Sequence, residues 1–324
     1  MNGTQDGDIV DSPSVNNRWK EFLGFYALAI LLLALVPLLS VVLGVSMDFA
    51  LIANEASETT GIPWTSNLYD VGRLALVAPG LWLLILGSFV PTLAALVMLG
   101  WGRDLAAWRA FFRRFHPVGP DIGWKEALAS YAVLVIGVVT SLFLIFQLRG
   151  MTSEGIYARG EILSMGLFSA ILFAALLDQG AVLEEGGWRG FAMPLLQGYV
   201  LNPLLVAVVI GLAWAFWHVP RDVVSGVIDR LGYVQYAFMY LPSFTLSIIS
   251  ASIVAAYFMN RMGGSVIPAI MVHGIANDSM GIAGKVNLDQ ALTPYHQITQ
   301  AVPLLVLALV VCLLSGRQLG LRRK

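Results

Sequence analysis

The chain has 324 residues, of which 58% are hydrophobic and only 12% are charged, and its formal net charge is −1. A soluble domain carries roughly a quarter charged residues, so this composition excludes an ordinary soluble protein and predicts an all-α, polytopic protein surrounded by the lipid bilayer. The near-zero net charge argues against a nucleic-acid partner. The single cysteine, Cys312, lies in an apolar run and excludes an internal disulfide.

Residues 1–17 are polar and rich in Asn, Asp and Ser, which predicts a disordered tail before a single transmembrane domain over residues 18–324. The first apolar run is too long for the core of a signal peptide and lacks a small-residue cleavage site in the right place, so we interpret it as a retained span. A span needs about 20 mainly apolar residues. By this measure eight spans are predicted, although the seventh is short and polar: Phe22–Met47, Leu74–Gly102, Ala127–Leu148, Ile162 to about Gln197, Leu204–Val219, Gly232–Met259, Val266–Ile282 and Ile298–Ser315.

Basic residues lie before the first predicted span, within residues 103–125 and after the last span, whereas acidic residues follow the first span. Because positive charge in short loops marks the cytoplasmic side, both termini are predicted to be cytoplasmic, in a multi-pass protein of the cell membrane. We expect a bacterial inner membrane. Arginines interleaved with aromatic residues over 103–125 predict a short amphipathic helix on the cytoplasmic surface, with a plain basic loop as the alternative.

A charge cluster stands out in the fourth run, where Glu184, Glu185 and Arg189 lie close together. Ionisable groups at bilayer depth are expensive, so they usually face a partner or a water-filled cavity and indicate a functional site. The alternative is an interfacial loop where a helix leaves the lipid. Glu185 and Arg189 are four residues apart and can pair, whereas Glu184 lies about 100° round the helix and can face another group.

Two of the four histidines, His218 and His273, fall in apolar runs, whereas His116 and His296 fall in loops. A single histidine in a span is more often a satisfied core residue than a catalytic one. His273 and Asn277 are four residues apart and share a helix face. Asn260 and Asp278 are interpreted as marks of span ends.

The depths of these residues can be compared if the fourth and fifth runs form a hairpin that turns near Gly198–Pro203. At 1.5 Å per residue, Glu184 and His218 both lie roughly 20–25 Å from that turn, provided that the glycines after Glu185 do not break the helix. His273 lies in the middle of its span. The sequence therefore predicts a Glu/His/His/Asn cluster in an intramembrane cavity.

Such a cluster suits hydrolysis of a peptide bond. A carboxylate beside a neutral histidine can take a proton from water, and a second histidine with an amide can donate hydrogen bonds to the oxyanion of a tetrahedral intermediate. The same side chains, Glu184, His218 and His273, are also possible zinc ligands. The usual His-Glu-x-x-His zinc motif is absent, so zinc stays an open alternative to a mechanism without a cofactor.

In this order, Glu-Glu-x-x-x-Arg, aromatic-x-x-x-His and His-x-x-x-Asn within about eight spans resemble the CPBP family, the type II CAAX prenyl endoproteases and their bacteriocin-linked relatives. The resemblance covers roughly residues 160–282. It departs from the family at one position, because Trp214 stands where the family usually has Phe, four residues before the histidine. An aromatic wall is retained there.

The resemblance implies an intramembrane endopeptidase in which Glu184 and His218 activate water and His273 and Asn277 stabilise the oxyanion. It gives Glu185 and Arg189 a structural role and implies a membrane-embedded or lipidated protein or peptide substrate. Relatives that cut prenylated tails open their site to the cytosol, whereas the hairpin and the basic loops place this site nearer the outer face. We give the motifs precedence over that depth estimate.

Two alternatives to the protease stay open. The first is a non-catalytic membrane protein that binds a bacteriocin-like peptide or scaffolds a partner. The second is a small transporter in which Glu184 and His218 relay protons, although paired half-repeats are absent from the sequence. Neither the substrate nor the oligomeric state can be predicted from the sequence.

Overall fold

The computed structural model describes residues 15–65, 67–148, 167–197, 200–282 and 293–321, and every regular element in these ranges is helical. In chain order the elements are α1 (Val15–Leu43), α2 (Phe49–Thr60), α3 (Leu68–Val77), α4 (Leu81–Gly100), α5 (Leu105–Arg113), α6 (Trp124–Leu148), α7 (Leu167–Leu177), α8 (Gln179–Glu185), the π-helix π1 (Gly186–Ala192), α9 (Met193–Leu196), α10 (Pro203–Val224), α11 (Val227–Leu231), α12 (Tyr233–Arg261), α13 (Ile267–Ile282) and α14 (Pro294–Ser315). The all-α prediction is confirmed.

Within these ranges, six helices are long and apolar enough to cross a membrane, so the protein is a multi-pass membrane protein. These are Val15–Leu43, Leu81–Gly100, Trp124–Ser141, Pro203–Val224, Tyr233–Arg261 and Ile298–Gln318. The predicted seventh span is represented by the shorter apolar helix Ile267–Asn277. The predicted number of eight is therefore not confirmed by length and composition.

The ends of several predicted elements differ from the structure. Helix α1 begins at Val15, inside the last residues of the predicted tail, and residues 1–14 lie outside the described ranges. The second predicted span is interrupted before Leu81, so α3 and α4 are separate helices. The basic segment 103–125 does contain a helix, α5, whose N-cap Asp104 accepts a hydrogen bond from the backbone N–H of Ala107 at 2.9 Å.

The fourth predicted span is not one helix, because the chain leaves the helical conformation at Asp178 (φ −54°, ψ 128°). The Asp178 carboxylate accepts a hydrogen bond from the backbone N–H of Ala181 at 2.7 Å and so caps the start of α8. Next to it, the Gln179 side chain donates to the backbone oxygen of Leu84 at 3.2 Å and to Ser88 Oγ at 2.9 Å. An aspartate is a preferred N-cap, so this break follows from local sequence chemistry.

The glycines after Glu185 do not break the helix; they allow α4 to approach it closely. A Cβ added at Gly187 would lie 2.4 Å from the backbone of Pro91, and one added at Gly186 would lie 2.6 Å from Thr92 Oγ1. The Thr92 hydroxyl donates to the backbone oxygen of Leu183 and accepts from the backbone N–H of Gly187. In this region the chain adopts π1, a rare helical form that is frequent at functional sites.

The core lies where the middle of the chain packs between the long helices. Helix α8 contacts α4 and α13, α7 packs on α13, and α12 contacts both α10 and α14. Trp188 and Trp214 are among the largest fully buried side chains. This arrangement brings the three motif-bearing segments, α8 with π1, α10 and α13, to one place.

Candidate active site

A fully buried ion pair on the segment from α8 to π1 supports the site from below. Arg189 Nη1 donates to Glu185 Oε1 at 2.9 Å, and both residues are 0% exposed. The same Glu185 oxygen lies 2.9 Å from His273 Nδ1 on α13. The Arg189 guanidinium carbon also lies 4.6 Å from the centre of the Trp214 ring, a cation–π contact. Glu185 and Arg189 therefore hold His273 and Trp214 in fixed positions.

Glu184 points to a different partner, as its angular offset from Glu185 predicts. Its Oε2 accepts a hydrogen bond from the Trp214 indole N–H at 2.8 Å. His218 Nδ1 lies 2.8 Å from the backbone oxygen of Trp214, and its ring packs against the rings of Trp217 and Phe244. No hydrogen bond directly joins the described side chains of Glu184 and His218, although both contact Trp214. Because both residues contact Trp214, they lie at a similar depth in the bundle, as the hairpin estimate predicts.

Asn277 lies on α13 and is held in the site by a hydrogen bond to Asp178. Asn277 Nδ2 donates to Asp178 Oδ1 at 3.0 Å. A Cβ added at Gly180 would lie 3.2 Å from Asn277 Nδ2, 3.3 Å from Glu184 Oε1 and 3.4 Å from Asp178 Oδ1. The amide and two carboxylates thus surround one point beside the Gly180 backbone, and the missing side chain of glycine keeps that point clear.

All the predicted site residues lie in this region of the fold. His273 packs edge-on against Trp214 with ring centres 4.5 Å apart, so Glu184, His218 and His273 all contact that indole or its backbone. Glu184, His218 and His273 are 4–6% exposed, whereas Asn277 is exposed. His116 is an exposed loop residue, and His296 lies in α14 rather than in a loop.

Sequence reasoning missed Asp178 and Gly180. Asp178 is 1% exposed and joins the end of α7, the cap of α8 and the amide of Asn277. The signal for it was a lone carboxylate directly after an apolar run, at a position where a helix can begin. Asn260, interpreted as the mark of a span end, does lie near the end of α12, where it accepts from Gln197 and donates to the backbone oxygen of Leu319.

The zinc alternative depends on the positions of the donor atoms. Within the described parts of the chain, no three His, Cys, Asp or Glu side chains form a group that could hold a metal ion. The Trp214 indole N–H holds Glu184 Oε2, whereas His218 Nδ1 lies 2.8 Å from the backbone oxygen of Trp214. The arrangement does not fit a three-ligand zinc site, and no step proposed below passes through a metal.

The fold and the site define a class of protein, a membrane-embedded helical bundle with a buried Glu/His cluster. The family model described as Type II CAAX prenyl endopeptidase Rce1-like matches residues 166–278, the stretch that contains the whole cluster. CAAX prenyl protease 2 of Methanococcus maripaludis is 26% identical over 234 residues, which cover 71% of this chain and 80% of that protein. These matches support the resemblance to the CPBP family of CAAX-type membrane proteases.

Proposed function

We propose that this protein hydrolyses peptide bonds in membrane-embedded or lipidated polypeptides, with Glu184 and His218 activating the attacking water. One observation carries the proposal. Glu184 Oε1 and Asn277 Nδ2 both lie within 3.3 Å of a single point beside Gly180, so a group that can take a proton and a group that can bind an oxyanion face the same small volume. Hydrolysis without a covalent intermediate needs this pair of functions at one place.

The hydrogen bonds of Glu184 and His218 leave the needed atoms available. Trp214 holds Glu184 Oε2, so Oε1 is the oxygen directed toward the reacting volume. Since a backbone oxygen can only accept, His218 Nδ1 must carry the proton that it donates to Trp214. The neutral ring then has its acceptor at Nε2, where it can assist in removing a proton from water.

The oxyanion would be bound by Asn277 and His273. A carboxylate can only accept, so the contact with Asp178 fixes the NH2 group of Asn277, rather than its oxygen, beside the site. One hydrogen of that group donates to Asp178 and the second is free to donate to an oxyanion. His273 donates through Nδ1 to Glu185, and a protonated ring would present a second donor at Nε2 while the Glu185 carboxylate offsets its charge.

The proposed substrate is a polypeptide anchored in the membrane. The related protein of Methanococcus maripaludis is named a CAAX prenyl protease, and the site of this protein is buried within a helical bundle. Lateral diffusion of an anchored substrate would bring its scissile bond to the bundle. We also propose a bacterial inner membrane with cytoplasmic termini, on the basis of the basic loops.

The test is a hydrolysis assay with purified protein and a panel of lipidated and unmodified peptides, with bound zinc measured in the same sample. We expect hydrolysis without stoichiometric zinc, and its loss in the His218→Ala form. Activity that depends on zinc lost in His218→Ala would replace the proposed mechanism with a metal-dependent one. A folded protein that cleaves none of the panel but retains a peptide would favour the non-catalytic binding alternative.

Asp178 is expected to act on catalysis through Asn277. Asp178→Ser retains a helix-capping hydroxyl but is too short to hold the amide of Asn277. We expect kcat to fall about 10²-fold for Asn277→Ala and for Asp178→Ser, with little change in KM, because an oxyanion contact forms mainly in the transition state.

The decisive measurement is the double variant. If Asp178 works by positioning Asn277, Asp178→Ser should have no further effect on kcat once Asn277 is alanine. Asp178→Asn, which keeps the Oδ1 acceptor, should retain most of the activity. If the decreases in kcat of the two single variants multiply in the double variant, Asp178 has only a separate, structural role.

A further inference from the structure

Helix α5 lies between the ends of two spans, α4 and α6. Span α4 ends at Gly100 and α6 begins at Trp124, so residues 101–123 connect the two spans at one membrane surface. Each end of this connection carries a strongly exposed tryptophan, because Trp101 is 84% exposed and Trp124 is 68% exposed. Tryptophan is enriched where a membrane meets water. The location of α5 is therefore that of a helix lying along a membrane surface.

One side of α5, here called the outer face, combines basic and apolar side chains. It consists of four exposed residues, Leu105, Arg109, Phe112 and Arg113. Their spacing along the helix places them within about 100° of its circumference. Leu105 is 63% exposed and Phe112 is 57% exposed. In the described part of the chain, neither arginine forms a salt bridge with an acidic side chain.

The opposite side of α5 and the residues that follow it pack on π1, which comes directly after the two glutamates of the site. A Cβ added at Gly190 would lie 3.2 Å from the Phe111 ring, and one added at Gly186 would lie 3.2 Å from the Phe115 ring. Arg114 Nη1 also donates to the backbone oxygen of Gly190 at 3.3 Å. The position of the catalytic glutamate therefore depends on a segment that is itself in contact with α5.

The same stretch of chain is bonded to the start of α13. The backbone N–H of Val266 donates to the backbone oxygen of Arg114 at 2.8 Å. The Ser265 hydroxyl donates to the backbone oxygen of His116 at 2.8 Å. Helix α13 carries both groups assigned to the oxyanion, and His273 lies six residues from its start, about 9 Å. The end of α5 thus connects the segment of the general base to the helix of the oxyanion donors.

We propose that the outer face of α5 binds the headgroups of anionic phospholipids, and that this binding raises the rate of hydrolysis by fixing π1 relative to α13. The inference rests on the proposed hydrolysis. Guanidinium groups match the geometry of phosphates, and exposed apolar side chains beside them can enter the boundary between headgroups and acyl chains. An anionic bilayer surface therefore satisfies both halves of the outer face, whereas a dissolved phosphate ion would engage only the arginines.

The lipid acts by favouring one position of α5. A ligand shifts a conformational equilibrium only if it binds one state more tightly than the other. Lipid on the outer face favours the state in which Phe111 and Phe115 are packed on π1 and the chain after them is bonded to α13. In that state the general base and the oxyanion donors keep the separation seen in the structure.

The first test compares kcat of the full-length protein in two kinds of bilayer. One is phosphatidylcholine alone, and in the other roughly a third of the lipid is phosphatidylglycerol, which makes the surface potential negative. The substrate is an uncharged peptide, so that the charge of the bilayer does not recruit it. We expect kcat to be at least about fivefold higher in the anionic bilayer, the lower end of the usual coupling between two sites, with little change in KM.

The double variant Arg109→Gln with Arg113→Gln should keep the kcat of the neutral bilayer and lose the increase. The matched control is Arg230→Gln with Arg317→Gln, the same change in net charge on exposed arginines outside α5, and it should keep the increase. Equal kcat in the two bilayers, or an equal loss in the two double variants, would overturn the proposal. The same increase with inorganic phosphate in detergent would overturn the bilayer as the ligand.

The route to the site is tested by Phe115→Leu, which shortens the side chain that contacts Gly186. This variant should still bind lipid through the outer face but should lose most of the increase in kcat. A full increase in Phe115→Leu would overturn transmission through that contact.

A second readout does not require hydrolysis. Leu105→Cys in a Cys312→Ser background places a single fluorophore on the outer face, and brominated phospholipid quenches it on contact. We expect quenching to be at least about twofold stronger in the anionic bilayer, and this difference to vanish with Arg109→Gln and Arg113→Gln. Stronger quenching without any hydrolysis that requires Glu184 would reject the proposed function. Hydrolysis that requires Glu184 with equal quenching in both bilayers would reject only the lipid site.

Discussion

Glu184→Gln is expected to lower kcat by at least about 10²-fold, because general acid–base groups contribute about 10²–10⁴-fold and a carboxamide cannot accept the proton of water. The replacement has nearly the same volume, and its oxygen can still accept the 2.8 Å hydrogen bond from the Trp214 indole. We therefore expect the fold to persist while the reaction stops. The measurement is kcat on any peptide that the wild-type protein cleaves.

The matched control is Glu58→Gln, the same chemical change on an exposed residue of α2. It should leave both kcat and the thermal midpoint unchanged. Activity of Glu184→Gln within a few-fold of wild type would contradict the proposed role. An equal loss of activity in the two variants would point instead to a general effect of the substitution on the fold rather than to loss of a catalytic carboxylate.

Arg189→Met is expected to lower the free energy of unfolding by about 3–5 kcal/mol, because it leaves the fully buried Glu185 carboxylate without its cationic partner. Arg189→Met should also lower kcat, since the same Glu185 carboxylate oxygen holds His273 Nδ1 at 2.9 Å. Unfolding in mixed micelles with increasing denaturing detergent would measure the stability, and kcat would be measured under folding conditions.

Arg103→Met provides the comparison, because the Arg103–Glu21 pair is about one-third exposed and an ion pair near solvent contributes about 0–1 kcal/mol. Removing both buried charges, as Arg189→Met with Glu185→Gln, should destabilise less than Arg189→Met alone, since no unpaired charge remains. Similar losses in the free energy of unfolding for Arg189→Met and Arg103→Met would show that burial does not set the strength of the Glu185–Arg189 pair.

The sequence alone determined the class of the protein and its motifs. A chain with so few charges can be stable only where lipid replaces water around it, so the helical membrane bundle followed from composition. The pairing of Glu185 with Arg189 followed from helical spacing, which is a local property. The same spacing turned Glu184 away from that pair, as found.

Only the tertiary structure decided which side chains from distant segments meet. Asp178 looked like the end of an apolar run, and its contact with Asn277 exists because α7 packs against α13 across 99 residues of chain. Trp214 looked like a mild departure from the family motif, yet its indole donates to Glu184, which a phenylalanine cannot do. Hydropathy reports how apolar a segment is, but partners are set by which helices pack together, and that depends on shape complementarity along the whole bundle.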